Sequence, residues 1–209
     1  MDPTVLMTGS QFSKNDDFEL SEVDDEDNED EVVENGRLVK IPSTVKHFYA
    51  PVEAATGGGQ LASAARVTQL LSEDGPKKIL IVLTKSCGLT VKHSVGALKF
   101  MSAKPNPIAL VDFLMETRDG DKKDEFLCVT SEDTVRGLDL DLNTVILVGK
   151  ATGPDSYVHA AGRCGRAGKK GSVVSIVGYE EGGRINGWRN MLGIEFHPVE
   201  VEDVKTAGV

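Results

Sequence analysis

Residues 78–84 (KILIVLT), 126–130 (FLCVT), 144–148 (TVILV) and 171–177 (GSVVSIV) are short, nearly unbroken runs rich in branched aliphatic side chains, each of strand length. A strand that is apolar on both of its alternating faces must be covered on both. A sheet wet on one side would show alternating polar positions instead. Between these runs lie segments with helical spacing. Residues 62–71 form one, stopped by Gly75-Pro76. Residues 108–117 form another, led in by Pro107. Residues 155–160 form a third, with Asp155 placed to cap it. Residues 38–52 are expected to open the domain as a strand, and 97–102 are a weaker strand candidate. Residues 195–204 are expected to add an edge strand and then fray. Strands alternating with helices predict an α/β fold: one three-layer domain around a mostly parallel sheet of five or six strands.

The charge is unevenly placed. Of 33 acidic side chains, 13 lie in residues 1–36 beside a single basic one, Lys14, although the chain as a whole carries only −10. The remaining 173 residues are therefore slightly basic. The stretch DDFELSEVDDEDNEDEVVE (16–34) repels itself and has few large apolar groups to offset its ordering entropy, so residues 1–36 are expected to be a disordered acidic tail. No apolar run approaches the roughly 20 residues of a membrane helix, and the first residues lack the pattern of a secretory signal. Cys87, Cys128 and Cys164 form no CxxC pair, which argues against a zinc site or a disulfide framework. An intracellular, reducing compartment is expected, with cytoplasm, nucleus and organelle not distinguished.

Two segments concentrate the chemistry. Ser131-Glu-Asp-Thr-Val-Arg136-Gly137-Leu-Asp139 directly follows the FLCVT run, and Tyr157-Val-His159-Ala-Ala-Gly-Arg163-Cys-Gly-Arg166-Ala-Gly follows TVILV after a short loop. Both are expected beyond the carboxyl ends of parallel strands, where open α/β sheets bind ligands. Arg163 and Arg166, three apart, would share a face of a helix, and Gly162 and Gly165 would let a ligand or backbone approach. Two permanently charged forks on a glycine-lined face suit a polyphosphate. Taken singly, an RxxR pair is a common solvated surface pattern, Asp139 can simply cap a turn, and His159 can be an ordinary helix residue.

Taken together and in order, RGLD followed by HxxGRxGRxG resembles motifs V and VI of superfamily 2 helicases. The second RecA-like domain of DEAD-box ATP-dependent RNA helicases is the nearest pattern. The opening segment of the IPxxVxHxY type and the ILIVLT strand ending in Thr84, as motif IV, fit the same order, so the resemblance spans roughly residues 38–200. It implies a RecA-like domain over residues 37–209. It implies that Arg163 and Arg166 are catalytic arginine fingers on the ATP phosphates, and that Asp139, Gly137 and His159 belong to the nucleotide side. It further implies that Thr84, Ser131 and Arg136 lie along RNA. RNA, a complementary RecA-like domain and other RNA-processing proteins are the implied partners, with no membrane, and no metal ligand is assigned in this domain.

The sequence also departs from that pattern. Ala160 stands where an arginine usually follows the histidine, Cys164 replaces the usual threonine, and no Gln-x-x-Arg precedes motif V, which predicts a weakened RNA grip. No GxxxxGK[ST] and no Asp-Glu-Ala-Asp occur, and Gly57-Gly58-Gly59 is expected to be a flexible loop. ATP with Mg²⁺ is therefore expected only together with a first RecA-like domain, and this chain is not expected to hydrolyse ATP alone. Two other readings stay open. One is a non-catalytic helicase-like module or scaffold in an RNA-processing or ribosomal assembly. The other, an unrelated nucleotide-binding α/β protein, is disfavoured because no GxGxxG follows a strand.

Overall fold

A computed structural model of the chain describes residues 32–34, 37–39, 41–53, 56–117 and 123–209. Most of the segment expected as an acidic tail lies outside the described residues. Its end, β1 (Val32–Glu34), pairs antiparallel with β2 (Arg37–Val39). The domain then runs β3 (Val45–Val52), α1 (Gly57–Ser72), β4 (Lys78–Leu83), α2 (Val91–Phe100), β5 (Pro107–Ala109), α3 (Leu110–Glu116) and β6 (Phe126–Ser131). It continues with β7 (Thr144–Val148), α4 (Pro154–Ala161), β8 (Gly171–Gly178), α5 (Tyr179–Asn186), α6 (Arg189–Leu192) and β9 (Phe196–Pro198).

Seven strands form one sheet in the order β5-β6-β4-β7-β8-β3-β9, every pair parallel. The four aliphatic runs are its adjacent central strands. Because side chains alternate faces, Ile79, Ile81 and Leu83 of β4 join α1 and α2 in one core through Leu61, Leu71 and Leu98. Leu80 and Val82 join α3, α4 and α5 in the other through Phe113, Tyr157 and Ile185. Truncating such a fully buried aliphatic residue costs about 2–5 kcal/mol.

Several expectations change. Of residues 97–102, a strand candidate, 97–100 form the end of α2 and 101–102 the turn after it, because Val91, Val95 and Leu98 turn one helical face onto the α1 side of the sheet. Residues 107–109 are taken from the expected helix by β5, an edge strand whose first residue is a proline, where a missing donor is tolerated. The helix expected at 155–160 starts at Pro154 with Gly153 as its cap residue, and Asp155 lies in the first turn. Gly57-Gly58-Gly59 is not a loop but the first turn of α1. A Cβ on Gly57 would sit 2.0 Å from the Cys87 carbonyl oxygen, so only glycine lets this helix start there. The end does not fray. Val204 is fully buried beside α1, and Arg66–Glu202 (2.6 Å), Lys205–Glu73 (3.2 Å) and Lys205–Asp74 (3.1 Å) ion pairs fringe the contact.

A buried ring cluster holds α4 to β3. Nδ1 of His47 and the Tyr157 hydroxyl share a hydrogen bond of 2.7 Å, and Phe196 and Trp188 pack on the Tyr157 ring. Burial, helped by the positive charge of His197, lowers the His47 pKa from 6.5 to about 4, so the native ring is neutral where an unfolded chain takes up a proton. Folding stability contributed by neutral His47 is present above pH 6.5 and is lost as pH falls toward 4, a span worth up to about 3 kcal/mol. Urea unfolding at pH 7 and pH 5 should show this loss, and His47→Gln should remove it. An equal loss in the variant would rule His47 out as its source.

Candidate functional site

β6, β4 and β7 end side by side, and one buried carboxylate ties the loops that leave them. Glu132, directly after β6, is only 8% exposed. It accepts hydrogen bonds from the Lys85 N–H (3.2 Å), the Thr152 N–H (2.7 Å) and the Thr152 hydroxyl (2.8 Å). A glutamate this buried is normally found only when its oxygens are satisfied, as they are here. Thr84 is buried as well. Its hydroxyl donates to the Val148 carbonyl (2.8 Å) and lies 3.0 Å from the Ser86 hydroxyl, so it staples β4 to β7 while Lys85 and Ser86 face outward. Gly149, at φ +88°, is required there because a Cβ would meet the Thr84 hydroxyl at 2.4 Å. Ser131 is half-buried on the same edge, with Thr134 donating to its carbonyl (2.9 Å).

Residues 132–143 return from the carboxyl end of β6 to the amino end of β7 without a long helix. Val135, Leu138 and Leu142 anchor this return segment in the core on the α4 side, and Arg136 and Asp139 stay exposed. Gly137 sits at φ +77° with nothing within 4 Å of a Cβ, so its role is conformational. Helix α4 runs back in the same direction. Past its end, Cys164 pairs with Leu142, two residues before β7, and its Sγ lies 2.9 Å from the Asn143 carbonyl.

The two arginines therefore do not share an α-helix, since Arg163 follows the end of α4 and Arg166 opens a single 3-10 turn, and they are not at the carboxyl edge. They lie in the turn between α4 and β8, toward the amino ends of the strands. They converge for a different reason: both grip the return segment. Arg163 donates to the Leu138 carbonyl (2.9 Å) and the His159 carbonyl (3.2 Å). Arg166 donates to the same Leu138 carbonyl (3.2 Å) and pairs with the Asp139 carboxylate. Partial burial, and then the neighbouring Arg166 charge, lower the Arg163 pKa, with Asp139 opposing. His159 places Nδ1 2.8 Å from the Asp155 carbonyl. Gly165, at φ +70°, makes room for protein: a Cβ would meet Val45 at 2.5 Å.

The structure thus brings Arg163, Arg166, Asp139, Gly137 and His159 together on the α4 face. It places Thr84 and Ser131 on the carboxyl edge, with Arg136 on the segment between the two places. A paired guanidinium cluster beside a carboxylate suits an anionic group carrying neighbouring hydroxyls. Among the described residues no group of three or more His, Cys, Asp or Glu is arranged to hold a metal ion, and no helix is long and apolar enough to cross a membrane. All three thiols are buried, which pushes Cys128 up to about 12 and Cys164 up to about 11 and leaves them poor nucleophiles.

Sequence reasoning passed over Glu132 and Thr152. The available signal was an acidic residue immediately after a run that ends buried. Glu132→Ala leaves the Lys85 and Thr152 N–H groups without their acceptor and should cost about 2–4 kcal/mol in urea unfolding. Glu132→Gln, which keeps the shape and one accepting oxygen, should lose less. A Glu132→Ala domain as stable as the parent would refute the role of this carboxylate as the tie.

The helicase conserved C-terminal domain family matches residues 62–168. Among curated proteins, the probable ATP-dependent RNA helicase YfmL of Bacillus subtilis is 35% identical over 69 residues, 33% of this chain and 18% of that protein. The ATP-dependent RNA helicase uap56 of Schizosaccharomyces pombe is 38% identical over 63 residues, 30% of this chain and 14% of that protein. The chain thus aligns with under a fifth of either relative. The solved C-terminal domain of the DEAD-box protein Dbp5 superposes with a TM-score of 0.57 at 20% identity, covering 78% of this chain and 94% of that one. S. cerevisiae Dbp5 bound to RNA and ADP BeF3 gives 0.58 at 18% identity, covering 79% of this chain and 44% of that one. The chain belongs to the helicase conserved C-terminal domain family, and its likenesses are to the second RecA-like domain of DEAD-box RNA helicases.

Proposed function

We propose that this domain is the C-terminal half of an ATP-dependent RNA helicase, supplying arginine fingers to ATP and part of the surface that holds RNA. The observation that carries the reading is the convergence of Arg163 and Arg166 on the Leu138 carbonyl beside Asp139. ATP with Mg²⁺ would lie between this face and a first RecA-like domain. Arg163 and Arg166 would meet the phosphates and Asp139 the ribose hydroxyls, with Gly137 shaping the loop and His159 at the domain boundary. The cluster fits such a group because its charge is concentrated and partly dehydrated. The Arg166–Asp139 pair is solvent-exposed on the Asp139 side, so exchanging it for nucleotide contacts costs little. Mg²⁺ neutralises charge developing on the phosphates during transfer, and its carboxylate ligands would come from the first domain. RNA phosphates would run along the carboxyl edge past Lys85, Ser86, Ser131 and Arg136, with affinity falling as salt rises. Because the Thr84 hydroxyl is committed to Val148, the contribution of Thr84 there would be to hold that loop.

One observation favours a second reading, a non-catalytic helicase-like module in an RNA-processing assembly. Ala160, in the position of the missing arginine, is packed into the core and supplies no charge to the cleft. A single comparison separates the two. The chain is mixed with a separate first RecA-like domain carrying GxxxxGK[ST] and Asp-Glu-Ala-Asp, and RNA-dependent ATP hydrolysis is measured. Neither part alone should turn over. The mixture should, and Arg163→Ala or Arg166→Ala should reduce its rate by about 10³-fold. Robust turnover by the 209 residues alone, or a rate indifferent to both arginines, would overturn the first reading. Folded protein without turnover in the mixture supports the second.

A further inference from the structure

At the end of the sheet remote from Glu132, the amino ends of β3, β7 and β8 surround a cavity of about 580 Å³. Three separate stretches of chain each send a lysine to its wall: Lys46 from β3, Lys77 from just before β4, and Lys170 from just before β8, beside Asn143 and Ser172. None of the three forms an ion pair among the described residues, and no aspartate or glutamate lines the cavity. The neighbouring Asp141 is already taken, by Lys169 at 2.7 Å and Lys78 at 3.2 Å, and its carboxyl is held below the usual range chiefly by the Lys169 hydrogen bond. Five lysines thus gather at this end, and the Asp141 carboxylate pairs with only two of them. Like charges converging on one concavity repel unless an anion is shared between them, and a concave basic wall concentrates its field on what enters.

We propose that this cavity binds a polyphosphate group. Its volume lies within the range of small-ligand sites, hydroxyl and amide groups stand among the lysines to orient phosphate oxygens, and neither Arg163 nor Arg166 lines it. The lining thus shares no residue with the proposed nucleotide face, although both lie toward the amino ends of the strands. The group is carried either by a free polyphosphate or by the 5′-triphosphate end of an RNA, since the recognising chemistry is the same.

The test titrates the full 209-residue chain with tripolyphosphate and follows backbone amide shifts by NMR. Saturable shifts are expected at Thr44, Asn143 and Ser172, weakening as salt is raised. Lys46→Gln, Lys77→Gln or Lys170→Gln should each weaken binding about two- to fivefold, and the triple variant more than about tenfold, with its spectrum still that of a folded domain. Arg163→Ala should leave the titration unchanged. Competition by a 5′-triphosphorylated but not a 5′-hydroxyl oligoribonucleotide assigns the group to an RNA end, and its absence assigns it to a free polyphosphate. No saturable shift at the cavity, unaltered binding in the triple variant, or loss of binding in Arg163→Ala instead would overturn the proposal.

Discussion

Burial of the central strands on both faces is the constraint from which the rest of the domain follows. β4 lies between β6 and β7 with Ile79, Ile81 and Leu83 on one side and Leu80 and Val82 on the other, all at or near zero exposure. Such a strand needs helices above and below it, and parallel neighbours need crossovers that supply them. α1 and α2 cover one face, and α3, α4 and α5 cover the other. Once those strands are fixed side by side, their carboxyl ends and their amino ends become two separate working surfaces.

The two surfaces are held by different means. The carboxyl edge is tied by neutral and charged hydrogen bonds at short range: Glu132 to two loops and Thr84 to Val148. Each bond crosses between chain segments 20 to 64 residues apart, so the edge exists only in the folded state. The arginine cluster is held by the return segment after β6, whose Leu138 side chain is buried while its carbonyl faces Arg163 and Arg166. That one residue couples packing to electrostatics: its side chain belongs to the core, and its backbone gathers the guanidinium pair. The His47–Tyr157 contact anchors the middle of α4, the helix that leads into the turn carrying those arginines.

Charge completes the division. The whole chain is acidic, but the amino end of the sheet is a local concentration of lysine. Net charge governs solubility and long-range behaviour, whereas recognition depends on which side chains the topology brings within a few ångströms.

The order of strands and helices was legible in the chain because continuous apolar runs and helical spacing are local properties. For the same reason the two arginine-bearing and glycine-bearing segments could be picked out by residue type and order. Short elements were not legible. β5 and the end of α2 depend on which neighbour covers a three-residue stretch, and the helical start at Gly57 depends on how closely the Cys87 carbonyl approaches. The position of Arg163 and Arg166 was misread for a related reason. Their spacing suggests a common helix face, but the helix ends at Ala161, and it is the distant Leu138 carbonyl that brings them together. Glu132 carries no sign in the sequence of the loops it joins, and Lys46, Lys77 and Lys170 carry none of their convergence. The sequence by itself determined what each segment is. Contacts between segments far apart along the chain, which no local pattern encodes, decided where those segments meet.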